Sequence, residues 1–538
     1  MVVLNRTLVR RVQNLSLSTH RNAQRSEFLL ENPKNTKIHQ TIESSPLYNK
    51  ILEKWGASNN PQNSTDHLTL KISSPITDQP ICTLTADTID SVDEKISLSV
   101  KAFEDWSNYT TLERSNLMLQ LGRKLEIYKN ELAQLMTIEN GKNLFESKVE
   151  IGVGSAACTW FAAEARRAYG DVIPAIHKNH TAMTVKQPVG PCGMITPWNF
   201  PSAMVTRKAF PALAVGCSVV LKPASETPLS ALALQIIAEE SGLPANLLQI
   251  ILSSGDNDNF GFNDNTAEIG SKLFTDQRIK AVSFTGSTRV GKILMQQAAG
   301  TVKKSCMELG GNAPFIVFKT GDIDKAITGL LAAKFRNTGQ VCIAPNRILV
   351  HKEIYNQFID ELKIRMEKKL RFGTPENPKT TIGPQIYERA VPNLEQIITD
   401  AVNKGANLIL GGKARPDLGK SYFEPTLLTD MTNNMIGFTE EIFGPIVSVG
   451  SFNDENEALN IANQGQHGLA AYIYSNDQKE IWRVANKIET GMLGINQVAV
   501  STIEYPFGGT RESGIGREGS KYGVDSYLET KLINWNWS

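Results

Sequence analysis

AVSFTGSTRVGK, residues 281–292, is the stretch on which the fold reading turns. An apolar run ends at one glycine, and a helical stretch continues past a second. Gly286 and Gly291 let backbone N–H groups approach a phosphate, whose charge a helix N-terminus favours. The spacing nearly matches a Walker A loop, with Gly286, four residues, Gly291 and Lys292 in place. The next position should be Ser or Thr to hold magnesium. It is Ile293, which disfavours an ATPase or a P-loop phosphotransferase. The GxGxxG dinucleotide fingerprint is also absent, so this glycine pair alone fits a plain strand-to-helix turn about as well.

Working outward, further short apolar runs end in Gly, Pro or a small polar residue. They are CGMITPWNFP (192–201), SVVLKPAS (218–225), NLLQIIL (246–252) and PFIVF (314–318). Helical stretches such as Pro228 to Ser241 separate several of them. This alternation predicts a parallel α/β architecture. A second alternating region follows from about residue 322. It comprises a helix to Asn337, the strand RILVH, a helix from Glu353 to Leu370, and strands near Leu408, Val447 and Tyr472. Upstream, Leu112 to Thr137 carries leucines at near-helical spacing. Gly170 to Val189 reads as a hairpin. Residues 27–70 are polar and weakly patterned, and Gly255 to Asn265 reads as a surface loop.

The 538 residues favour two to four domains, with 56 Lys+Arg against 55 Asp+Glu for a net charge of +1. That balance argues against a chain-wide basic surface for nucleic acid. The six cysteines are scattered without a CxxC pair, so neither a disulfide scaffold nor a Cys-rich zinc site is expected. The seven histidines show no metal-ligand spacing, His177 and His180 included, and no metal is expected. No apolar stretch reaches the ~20 residues that span a bilayer.

Residues 1–26 differ from the rest. They hold Arg6, Arg10, Arg11, Arg21 and Arg25 and no acidic residue. On a helix, Leu4, Leu8, Val12 and Leu15 share one face. A basic, acid-free, amphipathic start predicts a mitochondrial presequence, with a disordered basic tail as the alternative. Its removal takes away five Arg and lowers the net charge from +1 to −4.

Three residues attract chemical attention. Cys342 lies in FRNTGQVCIAP, and a cysteine becomes a nucleophile once deprotonated. A given cysteine is more often a buried small hydrophobe. Glu308 lies in MELGGNAPFIVF, read here as following an apolar helix and preceding a strand. Asn199 in TPWNFP could equally serve a turn. Together these segments resemble the aldehyde dehydrogenase superfamily over roughly residues 70 to 535. The resemblance rests on TPWNFP, VVLKPAS, FTGSTRVG, MELGGNAPF, NTGQVC, EEIFGP and PFGGTRESGIGRE, in that order. The 34 residues from Glu308 to Cys342 match the family spacing.

The resemblance implies an aldehyde dehydrogenase-like α/β fold. A Rossmann-type dinucleotide-binding domain would take residues 27–169 and 190–310. A catalytic domain would take 311–525. An oligomerisation element would join 170–189 to 526–538, in a homo-oligomer read as a tetramer rather than a dimer. The implied mechanism makes Cys342 the nucleophile. Asn199 and the Cys342 N–H would hold the oxyanion. A thiohemiacetal would give hydride to the nicotinamide. Glu308 would activate water against the thioester. Lys208 and Glu518 match proton-relay positions. Cofactor contacts carry over to Trp198, Arg207, Lys222, Pro223, Ala224, Ser225, Gly286, Ser287, Thr288, Gly291, Glu441 and Phe443.

TRKAF, FRNTGQVC and REGSKYG look like the succinate-semialdehyde dehydrogenase subfamily. There Arg207, Arg336 and Ser501 match carboxylate-binding positions, and Arg suits that task with paired donors. A single Arg is more often a partner in a surface salt bridge. The implied function is NAD- or NADP-dependent oxidation of succinate semialdehyde from 4-aminobutyrate, in the mitochondrial matrix. Another small or carboxylated aldehyde is the alternative. Ala344 stands where some relatives carry a second cysteine, so their disulfide switch is not expected. Ser225 stands where NAD-using relatives carry Glu. Its loss removes a repulsion from a 2′-phosphate that Lys222 could pair, so NADP should be tolerated. The adjacent Glu226 could restore that carboxylate after a small loop shift.

Overall fold

A computed structural model describes residues 28–56, 68–256 and 264–537. The presequence reading and most of the Gly255–Asn265 loop therefore lie outside the described residues.

The amino-terminal part is helical. Ile38–Glu43 and Pro46–Trp55 form two short helices where the sequence reading finds only weak patterning. The second starts on Ser45, whose hydroxyl accepts from Tyr48 N, with Pro46 at its first position. The leucine-rich stretch is two helices rather than one, Thr111–Ile127 and Lys129–Asn140, broken at Tyr128. A long helix, α1 (Leu144–Ala165), follows.

Six strands make the first sheet. β1 (Cys192–Ile195), β2 (Val219–Lys222), β3 (Leu248–Ile250), β4 (Ala281–Thr285) and β5 (Lys304–Glu308) are mutually parallel. Gly514–Ile515 pairs antiparallel to β5. The spatial order runs from Gly514–Ile515 through β5, β4, β1 and β2 to β3. The chain steps outward from β1 to β3, then returns to lie on its other side. β1 and β4 therefore flank a topological switch point, where α/β sheets hold ligands beyond the carboxyl ends of their strands. Helix α2 (Ala203–Val215) follows β1 and is buried along its whole length. It ends on Gly216, whose φ of +106° suits a residue without Cβ. Helix α3 (Pro228–Glu240) follows β2, and α4 (Thr288–Ala299) follows β4.

The chain then crosses to a second sheet. β6 (Ala313–Val317) and β7 (Pro345–His351) are joined by α5 (Ile323–Lys334). β8 (Ile446–Phe452), β9 (Ala470–Tyr474), β10 (Met492–Ile495) and Thr426–Thr429 complete its parallel part, and Asn407–Leu410 pairs antiparallel at its edge. Glu308 is the last residue of strand β5, not the residue after a helix. KSCME is too polar to look like a strand in sequence, yet only its first two residues reach solvent. The predicted helix to Asn337 ends at Lys334, and a 3-10 turn, Arg336–Gly339, follows.

The 170–189 hairpin is present. Val172–Ile173 pairs with His180–Pro188, and the carboxyl-terminal strand Leu528–Asn536 pairs with the other edge. Among the described residues no helix is long and apolar enough to cross a membrane.

Glu139 is fully buried, and its carboxylate accepts from Leu229 N, Ser230 N and Ser230 Oγ at the start of α3. Glu139→Ala orphans those donors at a cost of about 1–3 kcal/mol. It should lower the thermal-unfolding midpoint by a few degrees, and an unchanged midpoint refutes this capping role.

Candidate active site

The site forms where the carboxyl edge of the first sheet meets the start of β6 and β7. Four residues, Leu309–Asn312, make the crossing between β5 and β6. A Cβ on Gly311 would lie 2.5 Å from the Cys342 carbonyl oxygen, and one on Gly310 would lie 2.9 Å from Glu441 Oε2. Bare glycine is what lets the Cys342 loop close over this crossing. Gly508 does the same for Glu308, since a Cβ there would sit 2.8 Å from Oε1.

Cys342 is half-buried on a turn of unusual backbone. Asn337 and Thr338 both adopt left-handed dihedrals, with φ of 46° and 55°. Such angles are costly for non-glycine residues and persist only when neighbours enforce them. Here the enforcement is visible. Glu146 accepts from Asn337 N at 2.8 Å, Thr338 Oγ1 accepts from Gly383 N at 2.9 Å, and Gln340 Nε2 donates to Asn337 O at 3.0 Å. Burial, then Glu441 and Glu308, push the Cys342 thiol up to about 12, while Arg336 and Arg207 act against them.

Asn199 is buried, and its Nδ2 donates to Gln340 O at 3.1 Å. An amide carries two N–H donors, so one remains for an oxyanion. Glu308 is buried with neither carboxylate oxygen hydrogen-bonded. Burial, reinforced by Glu518, holds its carboxyl well above the ordinary range. Lys208 and Glu518 form a buried pair at 2.5 Å, and Lys208 also donates to Ser283 Oγ at 2.9 Å.

Two cavities flank this centre. The smaller, about 220 Å³, gathers Cys342, Arg207, Arg336 and Ser501 within apolar walls that include Phe200 and Phe507. Arg207 Nη2 donates to the Ser501 carbonyl at 2.8 Å, and its guanidinium lies 4.8 Å from the Phe507 ring. The Arg336 guanidinium lies 5.1 Å from the Phe200 ring. Arg207 Nε and Nη1 and Arg336 Nε are buried without partners. Unsatisfied buried donors are expensive, so these await an acceptor from outside the protein.

The larger cavity, about 590 Å³, opens at the switch point and is lined by Trp198, Lys222, Ala224, Ser225, Gly286 and Ser287 among others. Ser287 caps α4 through Val290 N, so the start of that helix faces the cavity. Apolar walls from Ile195, Phe284 and Leu294, a lysine and a helix N-terminus fit a dinucleotide. Pro223, Thr288 and Gly291 stand next to it rather than on its wall. Pro223 O takes Lys222 Nζ at 3.3 Å, and Gly291 packs on Leu309. Arg207 lines the smaller cavity, not this one. Phe443 stands edge-on to Trp198 at 5.6 Å, and Glu441 accepts from Gly311 N at 3.2 Å. Burial raises the Glu441 carboxyl to about 7.

Ser225 Oγ bonds Ser253 Oγ at 2.9 Å. Glu226 takes the Tyr387 hydroxyl at 2.5 Å, and the Arg389 guanidinium lies 4.0 Å from that ring. The sequence reading missed Tyr387, and it missed Lys142, Glu146, Glu150 and Asn337. The only signal was the i, i+4 spacing of Glu146 and Glu150, which puts both on one face of α1.

The positions of Cys342 and Glu308 predict separable effects. Cys342→Ala should abolish aldehyde oxidation and leave nucleotide binding intact. Glu308→Gln should lower steady-state turnover by roughly 100-fold, the scale of a lost general base. Because the Glu308 carboxyl is raised, it loses its proton only as pH climbs past the ordinary carboxylate range. Parent activity should therefore rise with pH, and Glu308→Gln should flatten that limb. A pH–rate profile checks this.

Residues 62–533 match the aldehyde dehydrogenase family. The mitochondrial succinate-semialdehyde dehydrogenase of Homo sapiens is 46% identical over 438 residues, covering 81% of this chain and 80% of that protein. The Arabidopsis thaliana enzyme of the same description is 44% identical over 470 residues, covering 87% of each. Among solved structures, succinate-semialdehyde dehydrogenase from Burkholderia pseudomallei superposes with a TM-score of 0.84 at 39% identity, covering 89% of this chain and 100% of that one. An NADP-dependent enzyme of E. coli does so with 0.84 at 39%, covering 90% and 98%. Betaine aldehyde dehydrogenase from Staphylococcus aureus, in complex with NAD+, gives 0.83 at 33%, covering 90% and 96%.

Proposed function

The chain belongs to the aldehyde dehydrogenase family, and from that premise we propose that it oxidises succinate semialdehyde to succinate with a nicotinamide cofactor. The observation that carries this reading is the set of orphaned guanidinium donors on Arg207 and Arg336 beside Cys342. A four-carbon semialdehyde has a carboxylate for the arginines and an aldehyde for the thiol. The aromatic rings under both guanidiniums hold them by cation–π contact and keep water from competing.

Cys342 as thiolate attacks the aldehyde carbon, and its proton leaves toward the buried carboxylates. The oxyanion is met by Asn199 Nδ2 and the Cys342 N–H. The nicotinamide, when bound, supplies the hydride acceptor. Glu308 then takes a proton from water, which attacks the thioester and releases succinate and the free thiol. Its uncommitted oxygens suit a group that must turn from cysteine to water. Glu518 and Lys208 form the route by which that proton leaves.

NADP is accepted and preferred over NAD in this reading. Ser225 offers no carboxylate to a 2′-phosphate, and Glu226 is engaged by Tyr387. The likeness to the NADP-dependent E. coli enzyme supports it. The mature chain, without residues 1–26, acts in the mitochondrial matrix, as the descriptions of its relatives suggest. It assembles as a homotetramer through the small sheet, whose Val172, Leu532 and Trp535 are exposed and apolar.

Initial rates on succinate semialdehyde with NAD and NADP side by side test the reading, and inactivity with both overturns it. Arg207→Ala and Arg336→Ala should each raise KM for succinate semialdehyde roughly 10- to 100-fold, the loss of one or two charge-assisted bonds. An uncharged aldehyde of the same length should be unaffected. Ser225→Glu should move the NADP/NAD preference at least tenfold toward NAD in kcat/KM.

A further inference from the structure

Two side chains from different elements converge on one backbone oxygen. Lys142 Nζ donates to Asn199 O at 2.8 Å, and Asn337 Nδ2 donates to the same oxygen at 2.9 Å. Lys142 is completely buried. It pairs with Glu150 at 2.5 Å, and its ammonium lies 4.2 Å from the Phe200 ring. The other Glu150 oxygen accepts from Ser202 N at 2.9 Å and Ala203 N at 3.0 Å, the amides that open α2. One turn earlier on α1, Glu146 accepts from Asn337 N at 2.8 Å. The same helix face therefore holds the segment carrying Asn199 and the left-handed turn carrying Cys342.

Burying an ammonium and a carboxylate together is expensive, and a hydrophobic pair would stabilise a fold as well or better. The geometry points instead to orientation. A carbonyl fixed between two donors cannot rotate its peptide plane without breaking both bonds. The Asn199 side chain is held by Gln340 O, on the same turn as Asn337. Backbone and side chain of Asn199 are thus both referenced to the nucleophile turn. Preorganised donors of this kind stabilise developing charge without reorganising during the reaction. We infer that Lys142 and Asn337 are positioning residues that lock Asn199 against the Cys342 turn, so that its free amide N–H meets the oxyanion in the transition state. This rests on the role proposed above for Asn199.

The test uses the full-length enzyme. Lys142→Met combined with Glu150→Gln removes both charges at once, while the amide oxygen introduced at position 150 still accepts from α2. Asn337→Gly keeps the left-handed backbone and removes the second donor. Each should lower kcat on succinate semialdehyde at least tenfold. KM for the aldehyde and the dissociation constant for NADP, read by fluorescence titration, should stay within twofold of the parent. A kcat within threefold of the parent in both variants overturns the inference. So does a joint loss of kcat, aldehyde affinity and nucleotide affinity, which marks a merely structural pair. Should the double variant not fold, Asn337→Gly decides by the same criteria. Asn199→Ala separates the two levels. Undiminished kcat there overturns the role of Asn199 itself, whereas slow Asn199→Ala with fast positioning variants overturns only the lock.

Discussion

Everything in this molecule depends on how closely two sheets can approach at Leu309–Asn312. The chain leaves one parallel sheet at Glu308 and enters the next at Ala313. Across that gap the Cys342 carbonyl and the Glu441 carboxylate come so near the backbone that no side chain fits on Gly310 or Gly311. The closeness brings the Cys342 turn to Glu308 and Asn199, the set proposed above as nucleophile, base and oxyanion donor. A methyl group at Gly311 would push the loops apart by more than the tolerance of a reacting geometry, which is a fraction of an ångström.

Around that contact the protein keeps charge out of water and under control. The Lys142–Glu150 pair is matched, with further hydrogen bonds to backbone, whereas Glu518 of the Lys208–Glu518 pair keeps Oε2 without a partner. Glu308, Arg207 and Arg336 hold buried polar atoms left without protein partners. The contrast sorts framework from function. Satisfied buried charges rigidify, and unsatisfied ones wait for substrate, water or a proton.

The fold was legible because its strands announce themselves: VVLK ends in Lys222, AVSFT runs into Gly286, and helices follow. Cys342, Asn199 and Glu308 were legible only as part of a set of motifs, since each alone has a bland reading. What stayed hidden had physical reasons. ENGKNLFESKVE looks like a solvated helix start, because charges four apart usually face water. Only contact with Asn337, 191 residues along the chain from Glu146, shows that this face packs inward. Tyr387 is equally mute, since its partner Glu226 lies 161 residues away. The helices Ile38–Glu43 and Pro46–Trp55 are too short for periodicity to stand out, although Ser45-Pro46 is a readable start signal.

The carboxyl-terminal strand has a consequence for how the protein is made. Leu528–Asn536 supplies a full edge of the small sheet, bonded along nine residue pairs to His180–Pro188. Lys304 also donates to its first carbonyl. In chain order this strand follows every other described element, so the edge closes only after they have been made. The middle strand of the sheet emerges early and waits with one side bare through most of translation. Vectorial folding, in which domains complete in the order they appear, is closed to this element. A chain cut just before Leu528 would keep both sheets of the active site and leave a long strand edge permanently open to other chains.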